Sequence, residues 1–334
     1  MFELNSALRG RSLLNIRSLT DGELNYMVEL AMALKARRQA GIRGELLHRK
    51  NIALIFEKSS TRTRNSASIA VCDEGGHAEY LTRHDIHLGA KESVADTARV
   101  LGRLFDGILF RGFEQKTVET LARCSGVPVW NGLTDASHPT QFLADMMTMR
   151  EAFGDVRGKT MAYVGDGRNN VANSLMMGCA KAGINFINVT PRALFPQEAL
   201  VEEARAMAVK NGSTVRIETD PKMGVKGANV LYTDVWVSMG EEDQKAERLA
   251  LLRPYQINMP LVEATGHAGG EFIFLHCLPA FHDRETEVSR ETGPLEVTEE
   301  VFTAPFSKVF DEAENRMHTI KALYVSALSD ARTF

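Results

Sequence analysis

The chain has 334 residues, 44% of them hydrophobic and 25% charged, with a formal net charge of −4. This is the composition of a soluble globular protein long enough for two separately cored domains, and its slight acidity gives neither nucleic acid nor an anionic membrane an electrostatic reason to bind. No apolar run approaches the roughly 20 residues needed to span a bilayer, and the four cysteines, Cys72, Cys124, Cys179 and Cys277, have neither zinc-type nor redox-type spacing.

The first residues, Met1-Phe2-Glu3-Leu4-Asn5, lack the basic region and apolar stretch of a secretory signal. A cytoplasmic, reduced protein without a structural metal is therefore expected. Residues 20–47 predict a helix capped by Thr20, with Leu24, Met27, Val28, Ala31 and Leu34 as its apolar stripe. Asn51-Ile52-Ala53-Leu54-Ile55 is an apolar run of the buried-strand type. It delivers Phe56-Glu57-Lys58-Ser59-Ser60-Thr61-Arg62-Thr63-Arg64, after which residues 66–71 are small and apolar enough to begin a packed helix. A strand thus ends in hydroxyls and guanidinium groups where a helix begins. Backbone N–H groups at a helix start have no internal partners and carry about half a positive charge between them. The hydroxyls of Ser60, Thr61 and Thr63 and the planar forks of Arg62 and Arg64 add donors suited to phosphate or carboxylate. The stretch reads as a dianion pocket, and its alternative is an ordinary N-cap with solvated arginines.

Residues 77–81 predict a second strand, leading into a polar loop over 82–93 that is too rich in charge and histidine to be core. A helix follows over 93–105 with Val94, Ala98, Leu101 and Leu104 inward. Strands over 107–113 and 127–133 end at Arg111-Gly112 and near Thr134, and a helix over 138–153 carries Phe142, Leu143, Met146, Met147 and Met149. Residues 154–159 read as a domain link. Beyond it lie strands over 160–164, 185–190, 214–218, 230–233 and 272–275, and helices over 170–182, 197–210 and from about 311 to the C-terminus.

Two rounds of strand–helix alternation predict an α/β chain of two domains, each a mainly parallel sheet covered by helices. The first spans 1–153, with 311–334 packing back on it, and the second spans 154–310. In open parallel sheets ligands sit beyond the carboxyl ends of the strands. Six polar clusters fall there: 60–64, Arg111, 138–141, 166–170, 234–240 and 276–279. That coincidence points to an active site in a cleft between the two domains.

Each cluster admits more than one reading. Arg111 at a strand end can donate to a carbonyl or a phosphate, or be a solvated surface arginine. His138 and Gln141 lie one turn apart on a helix start and share a face. Together they can hold a small carbonyl group, donating to its oxygen and accepting from its nitrogen, unless His138 only caps the helix. Gly165-Asp166-Gly167-Arg168-Asn169-Asn170 invites a dinucleotide reading, but Asn170 replaces the third glycine and no acid follows near 189–191. The two asparagines suit the polar backbone of an amino acid better. Asp234 offers a carboxylate to a cationic amine, and Arg316 adds a guanidinium from the terminal helix. Cys277 is either a strand-end nucleophile, which needs nearby positive charge, or an inert buried thiol.

Taken jointly and in this order, Ser-Thr-Arg-Thr-Arg at 60–64, His-Pro-Thr-Gln at 138–141, Asp-Val-Trp-Val-Ser-Met-Gly at 234–240 and His-Cys-Leu-Pro at 276–279 resemble the ornithine carbamoyltransferases. The likeness extends through 91–93, 96–103 and 314–319, so it covers nearly the whole chain. The Ser-Met-Gly loop separates the ornithine branch from the aspartate and putrescine branches. The resemblance implies transfer of the carbamoyl group of carbamoyl phosphate to the δ-amine of L-ornithine, giving L-citrulline and phosphate without metal or cofactor. It implies that Ser60, Thr61, Arg62 and Thr63 bind the phosphate. Arg111, His138 and Gln141 address the carbamoyl group, with Cys277, Leu278 and Arg316 around it. Asn170, Asp234, Ser238 and Met239 hold ornithine. Arg62, Arg111, His138, Asp234 and Cys277 carry the catalytic roles, with Thr63, Arg111 and His138 stabilising the developing oxyanion. An ammonium with a pKa of about 10.4 cannot attack, so the site must favour deprotonation, with Asp234 and Cys277 as orienting groups. Domain closure and ordering of 238–240 exclude water. The resemblance further implies a homotrimer, or an assembly of trimers, with sites at subunit boundaries and the loop of His87 reaching the neighbour's carbamoyl phosphate.

The sequence departs from the family pattern around the anion stretch. The usual Gln-x-Gly-His-Lys reads His87-Leu88-Gly89-Ala90-Lys91, and the usual Phe-Glu after the arginines is Ala67-Ser68. One alternative is accordingly a paralogous carbamoyltransferase with altered phosphate-side recognition, resistant to a phosphate-mimicking inhibitor or using a modified donor. Another is a non-catalytic ornithine-binding paralogue, against which the joint presence of Arg62, Arg111, His138 and Cys277 argues.

Overall fold

The structure is a computed structural model, and it describes residues 2–86, 88–89, 91–237 and 245–334. The chain forms two compact units, Met1–Met147 with Glu314–Phe334, and Thr148–Ala313.

In the first unit, α1 (Asp21–Gln39) starts in a capping box: Thr20 Oγ1 accepts from Glu23 N–H, and the Glu23 carboxylate accepts from Thr20 N–H. It ends well before the expected 47, because Gly41 takes φ 73°, a left-handed conformation that terminates a helix. The next elements are β1 (Asn51–Phe56), α2 (Thr61–Cys72), β2 (His77–Thr82), α3 (Val94–Leu104), β3 (Gly107–Arg111), α4 (Gln115–Ser125), β4 (Val129–Leu133) and α5 (Pro139–Phe153). Leu104 corrects the inward face expected of α3: it is 66% exposed, while Ala98 and Leu101 are buried. The sequence reading assigned nothing to α4, which puts only two large apolar side chains, Val118 and Leu121, into the core. Its presence is nonetheless required, since neighbouring parallel strands cannot be joined without a crossover.

The strands of this unit pair in the order β2-β1-β3-β4, all parallel. The chain leaves β1 toward one edge and later fills the other, so the strand order reverses between β1 and β3. Ala53 and Ile55 of β1 and Ile108 and Phe110 of β3 pack with Ala98, Leu101, Val118 and Leu121 in one apolar cluster.

In the second unit, β5 (Thr160–Val164), α6 (Asn170–Ala182), β6 (Asn185–Val189), α7 (Glu198–Lys210), β7 (Val215–Glu218), α8 (Pro221–Val225) and β8 (Val230–Thr233) alternate. Then come α9 (Lys245–Leu252), α10 (Met259–Glu263), β9 (Ile273–His276), α11 (Glu287–Thr292) and α12 (Glu299–Phe302). The sheet order is β7-β6-β5-β8-β9, again all parallel, with its reversal between β5 and β8. Ala162, Val164, Ile187, Leu231 and Phe274 anchor its core. The last helix, α13 (Val309–Leu328), stops short of the C-terminus expected for it. In the first unit its Tyr324 ring packs against Trp130, with centroids 4.7 Å apart. Among the described residues, no helix is long and apolar enough to cross a membrane.

Candidate active site

A ligand beyond an open parallel sheet sits where the strand order reverses. In the first unit that place lies outside β1 and β3, and the chain there is polar. Ser60 is the N-cap of α2, its Oγ accepting from Thr63 N–H at 3.2 Å. Thr61 is exposed, Arg62 half-buried and Thr63 wholly buried. Arg111, the last residue of β3, donates from Nη1 to Thr63 Oγ1 at 3.3 Å. Arg316 of α13 donates to the same oxygen at 3.4 Å and to His138 Nε2 at 3.2 Å. Two guanidinium groups thus converge on one hydroxyl, and an imidazole meets one of them, all at most 8% exposed.

The protonation of this cluster follows from donor logic. A guanidinium has no acceptor, so His138 Nε2 carries a lone pair toward Arg316, and the ring proton lies on Nδ1, 3.3 Å from Thr140 Oγ1. Burial above all, and then the charges of Arg316, Arg111 and Arg62, hold the His138 pKa well below the usual imidazole range. His138 is therefore neutral. Thr63 Oγ1 accepts from both arginines, so its own proton points elsewhere, and no protein acceptor for it exists among the described residues. Gln141 donates from Nε2 to Asp145 Oδ1 at 2.7 Å, which fixes the orientation of its amide. Arg64, read with Arg62 as a phosphate fork, instead lies over the Tyr80 ring at 3.8 Å and is exposed. His87 lies outside the described residues.

The second unit has its own cluster where its strand order reverses, outside β5 and β8. Asp234 follows β8, and its Oδ1 accepts from Cys277 Sγ at 3.0 Å and from Val235 N–H at 2.8 Å. Its Oδ2 accepts from Asn169 Nδ2 at 2.8 Å. Asn169 also caps α6, its Oδ1 accepting from Val171 and Ala172 N–H. Of the two asparagines read as a substrate pair, Asn169 is thus engaged by the protein, and Asn170 is the half-buried first residue of α6. The turn before them is tight: a Cβ on Gly167 would fall 2.7 Å from Asn188 Oδ1 and Thr190 Cγ2. Burial and then the Asp234 carboxylate push the Tyr163 hydroxyl well above its ordinary pKa, so it stays protonated. Leu278 is half-buried with φ 56° and precedes a cis proline. Ser238 and Met239 lie outside the described residues.

The sequence reading passed over several residues that hold these clusters, Arg248 among them, and named Asp166 only as part of the 166–170 cluster. Asp166 and Arg248 form an ion pair of 2.6 Å, both about 5% exposed, and Arg248 also donates to the Trp236 carbonyl. Glu296 and Glu312 likewise had no local signal, since each bonds to residues brought near it by the fold, whereas Asp145, one turn after Gln141 on α5, and Thr140, beside His138, are local partners. Asp234, His276 and Cys277 bring ligand-capable atoms together, as do His282, Asp283 and Glu299. Both ring nitrogens of His276 are already committed to protein partners, so that first group offers a cation only a thiol and a carboxylate.

The family model for the carbamoyl-P binding domain of aspartate/ornithine carbamoyltransferases matches residues 11–151, and that for the Asp/Orn binding domain matches 157–327. The chain belongs to the aspartate/ornithine carbamoyltransferase family. An ornithine carbamoyltransferase of Bacillus licheniformis, named as catabolic, is 55% identical over 97% of this chain and 98% of its own length. A similarly named relative in Enterococcus faecalis is 53% identical over 98% of both. The ornithine carbamoyltransferase structure from Pyrococcus furiosus superposes with a TM-score of 0.89 at 41% identity, covering 98% of this chain and 99% of that one. For the Gloeobacter violaceus enzyme the values are 0.81 and 40%, covering 96% and 100%. The Thr63–Arg111–His138–Arg316 cluster is therefore a feature of a carbamoyltransferase, with three of its four members inside the carbamoyl-P binding match.

Proposed function

We infer that the chain transfers the carbamoyl group of carbamoyl phosphate to the δ-amine of L-ornithine, yielding L-citrulline and phosphate. The observation that carries the mechanism is the convergence of Arg111 and Arg316 on Thr63 Oγ1 beside a neutral His138. In this reading Ser60, Thr61, Arg62 and the α2 N-terminus take the phosphate dianion, as helix N-termini do. Thr63 donates its hydroxyl proton to the carbamoyl oxygen, and Arg111 stabilises the charge that grows there. His138, being uncharged, adds no cation that would have to be desolvated, and the Gln141 amide oxygen accepts from the carbamoyl NH2. Asp234 and the Cys277 thiol orient the ornithine δ-amine, with Asn170, Ser238 and Met239 on the rest of the amino acid. The ammonium must lose its proton before attack; phosphate leaves as the new C–N bond forms. The proton comes off nitrogen, so phosphate or solvent takes it and no redox partner is involved.

A homotrimer, or an assembly of trimers, in the cytoplasm belongs to the same proposal. So does the direction of physiological flux: three relatives at 52–55% identity carry the word catabolic in their names, which supports phosphorolysis of citrulline. The test is an assay of citrulline and phosphate from carbamoyl phosphate and L-ornithine, repeated with a bisubstrate phosphonate. Equal formation of both products, abolished by the phosphonate, is expected. Absence of turnover overturns the reading, and turnover that the phosphonate does not inhibit favours altered phosphate-side recognition at Ala67, Ser68, His87 and Ala90.

A further inference from the structure

The corner after β9 carries Cys277, yet its own backbone is unfavourable. Leu278 has φ 56°, a left-handed conformation uncommon for a residue with a branched side chain. Such a conformation persists only where the surroundings over-determine it. Here the surroundings are three buried ionisable side chains that the reaction does not consume: His276, Glu296 and Glu312, none more than 1% exposed.

Their hydrogen bonds fix one another. Leu278 N–H donates to His276 Nδ1 at 2.9 Å. A backbone N–H can only donate, so Nδ1 is unprotonated and the ring proton sits on Nε2. Nε2–H then donates to Glu296 Oε1 at 3.2 Å, and the same oxygen accepts from Phe281 N–H at 2.7 Å. On the other side of the corner, His276 N–H donates to Glu312 Oε2 at 2.9 Å, while Glu312 Oε1 accepts from the Tyr232 hydroxyl at 3.1 Å. The backbone is thus gripped before and after Cys277, whose thiol lies 3.0 Å from Asp234 Oδ1. Burying a carboxylate is costly unless it is bonded, and Glu296 spends its bonds on the two sides of this corner.

We propose that Glu296 is a positioning residue that locks His276 in the Nε2–H tautomer, and that this tautomer holds the Cys277–Leu278 corner, and with it the thiol on Asp234, in working geometry. The opposite tautomer would aim a second N–H at Leu278 N–H and release the corner. Neither His276 nor Glu296 touches the reacting atoms in the carbamoyl-transfer reading, on which the catalytic part of this inference rests.

The test uses the full chain labelled with 15N-histidine. In the unsubstituted protein the ring of His276, identified by its loss in His276→Asn, shows the Nε2–H pattern. Glu296→Gln retains an oxygen acceptor for both donors, so it keeps that pattern and a kcat within about threefold of the parent. Glu296→Leu removes the acceptor; the pattern collapses to mixed tautomers and kcat falls more than about tenfold, with KM for carbamoyl phosphate nearly unchanged. A Glu296→Leu protein that folds and keeps both the Nε2–H pattern and kcat overturns the proposal, as does a Glu296→Gln protein as impaired as Glu296→Leu. Should Glu296→Leu fail to fold, the ring of His276 in the unsubstituted protein decides: an Nδ1–H or mixed-tautomer pattern there overturns the proposal. If the unsubstituted protein forms no citrulline, the carbamoyl-transfer reading fails, while the tautomer of His276 in the ligand-free protein still decides the lock by itself.

Discussion

Replacing Thr63 with valine removes one hydroxyl from the centre of the donor cluster and nearly preserves the side-chain volume. Two losses of different kind are expected. The first is catalytic: losing one preorganised oxyanion donor costs about 100–1,000-fold in kcat, or ~2.7–4 kcal/mol. The second is structural, because Thr63 Oγ1 is the shared acceptor of Arg111 and Arg316. Those contacts, at 3.3 and 3.4 Å, are at the long end for N–H···O bonds. A stability loss of about 1–2 kcal/mol follows, below what two well-formed charged hydrogen bonds would cost. The catalytic loss thus exceeds the structural one and is separable from it. Steady-state citrulline formation should show the drop in kcat with KM for L-ornithine little changed, and urea unfolding should give the stability term. A kcat within about threefold of the parent, with only KM for carbamoyl phosphate raised, would show that the hydroxyl binds phosphate and does not serve the carbamoyl oxygen.

Two further perturbations follow from buried charge. Arg248→Met leaves the Asp166 carboxylate 5% exposed without its 2.6 Å partner, which should cost about 3–5 kcal/mol in unfolding free energy; a loss under about 1 kcal/mol in urea unfolding would mean that Arg168 or water compensates. His318, wholly buried on α13, has a pKa lowered to about 4 by burial above all. Below about pH 6.5 the unfolded chain takes up a proton there that the folded chain refuses. Stability should therefore fall as pH drops from about 6.5 to about 4, this group contributing ~1.4 kcal/mol per pH unit. His318→Gln should remove that contribution from a series of urea melts, leaving the part due to His138, whose shift has the same sign. An unchanged slope would show that His318 titrates at its ordinary pKa.

The parallel architecture of both sheets was legible because strand–helix alternation leaves few other ways to bury a strand on both faces. The strand ends were legible as well, since buried runs such as Asn51–Phe56 break off abruptly into hydroxyls and charges. The end of α1 was misplaced although its signals were there: the apolar stripe stops at Leu34, and Gly41, at φ 73°, closes the helix well before the expected 47. Short helices such as α8, α10 and α12, of four or five residues, are too brief to show a helical period. Pairings across the fold left no local trace at all. Arg316 meets Thr63 across 253 residues, Arg248 meets Asp166 across 82, and Glu312 meets the His276 backbone across 36. Each looks like an ordinary charged residue on its own helix. Asn169 misled for a related reason: its cap of α6 was readable from sequence, but its bond to Asp234 was not.

The central claim is that a doubly negative leaving group is held at the start of α2, where Arg62 supplies the charge that a neutral side chain cannot. The most direct measurement is the rate of citrulline formation by Arg62→Leu beside its thermal unfolding. Arg62 is only half-buried, so the variant should unfold close to the parent temperature while its kcat/KM for carbamoyl phosphate falls by about 100-fold or more. A folded Arg62→Leu protein that forms citrulline at the parent rate would contradict the account.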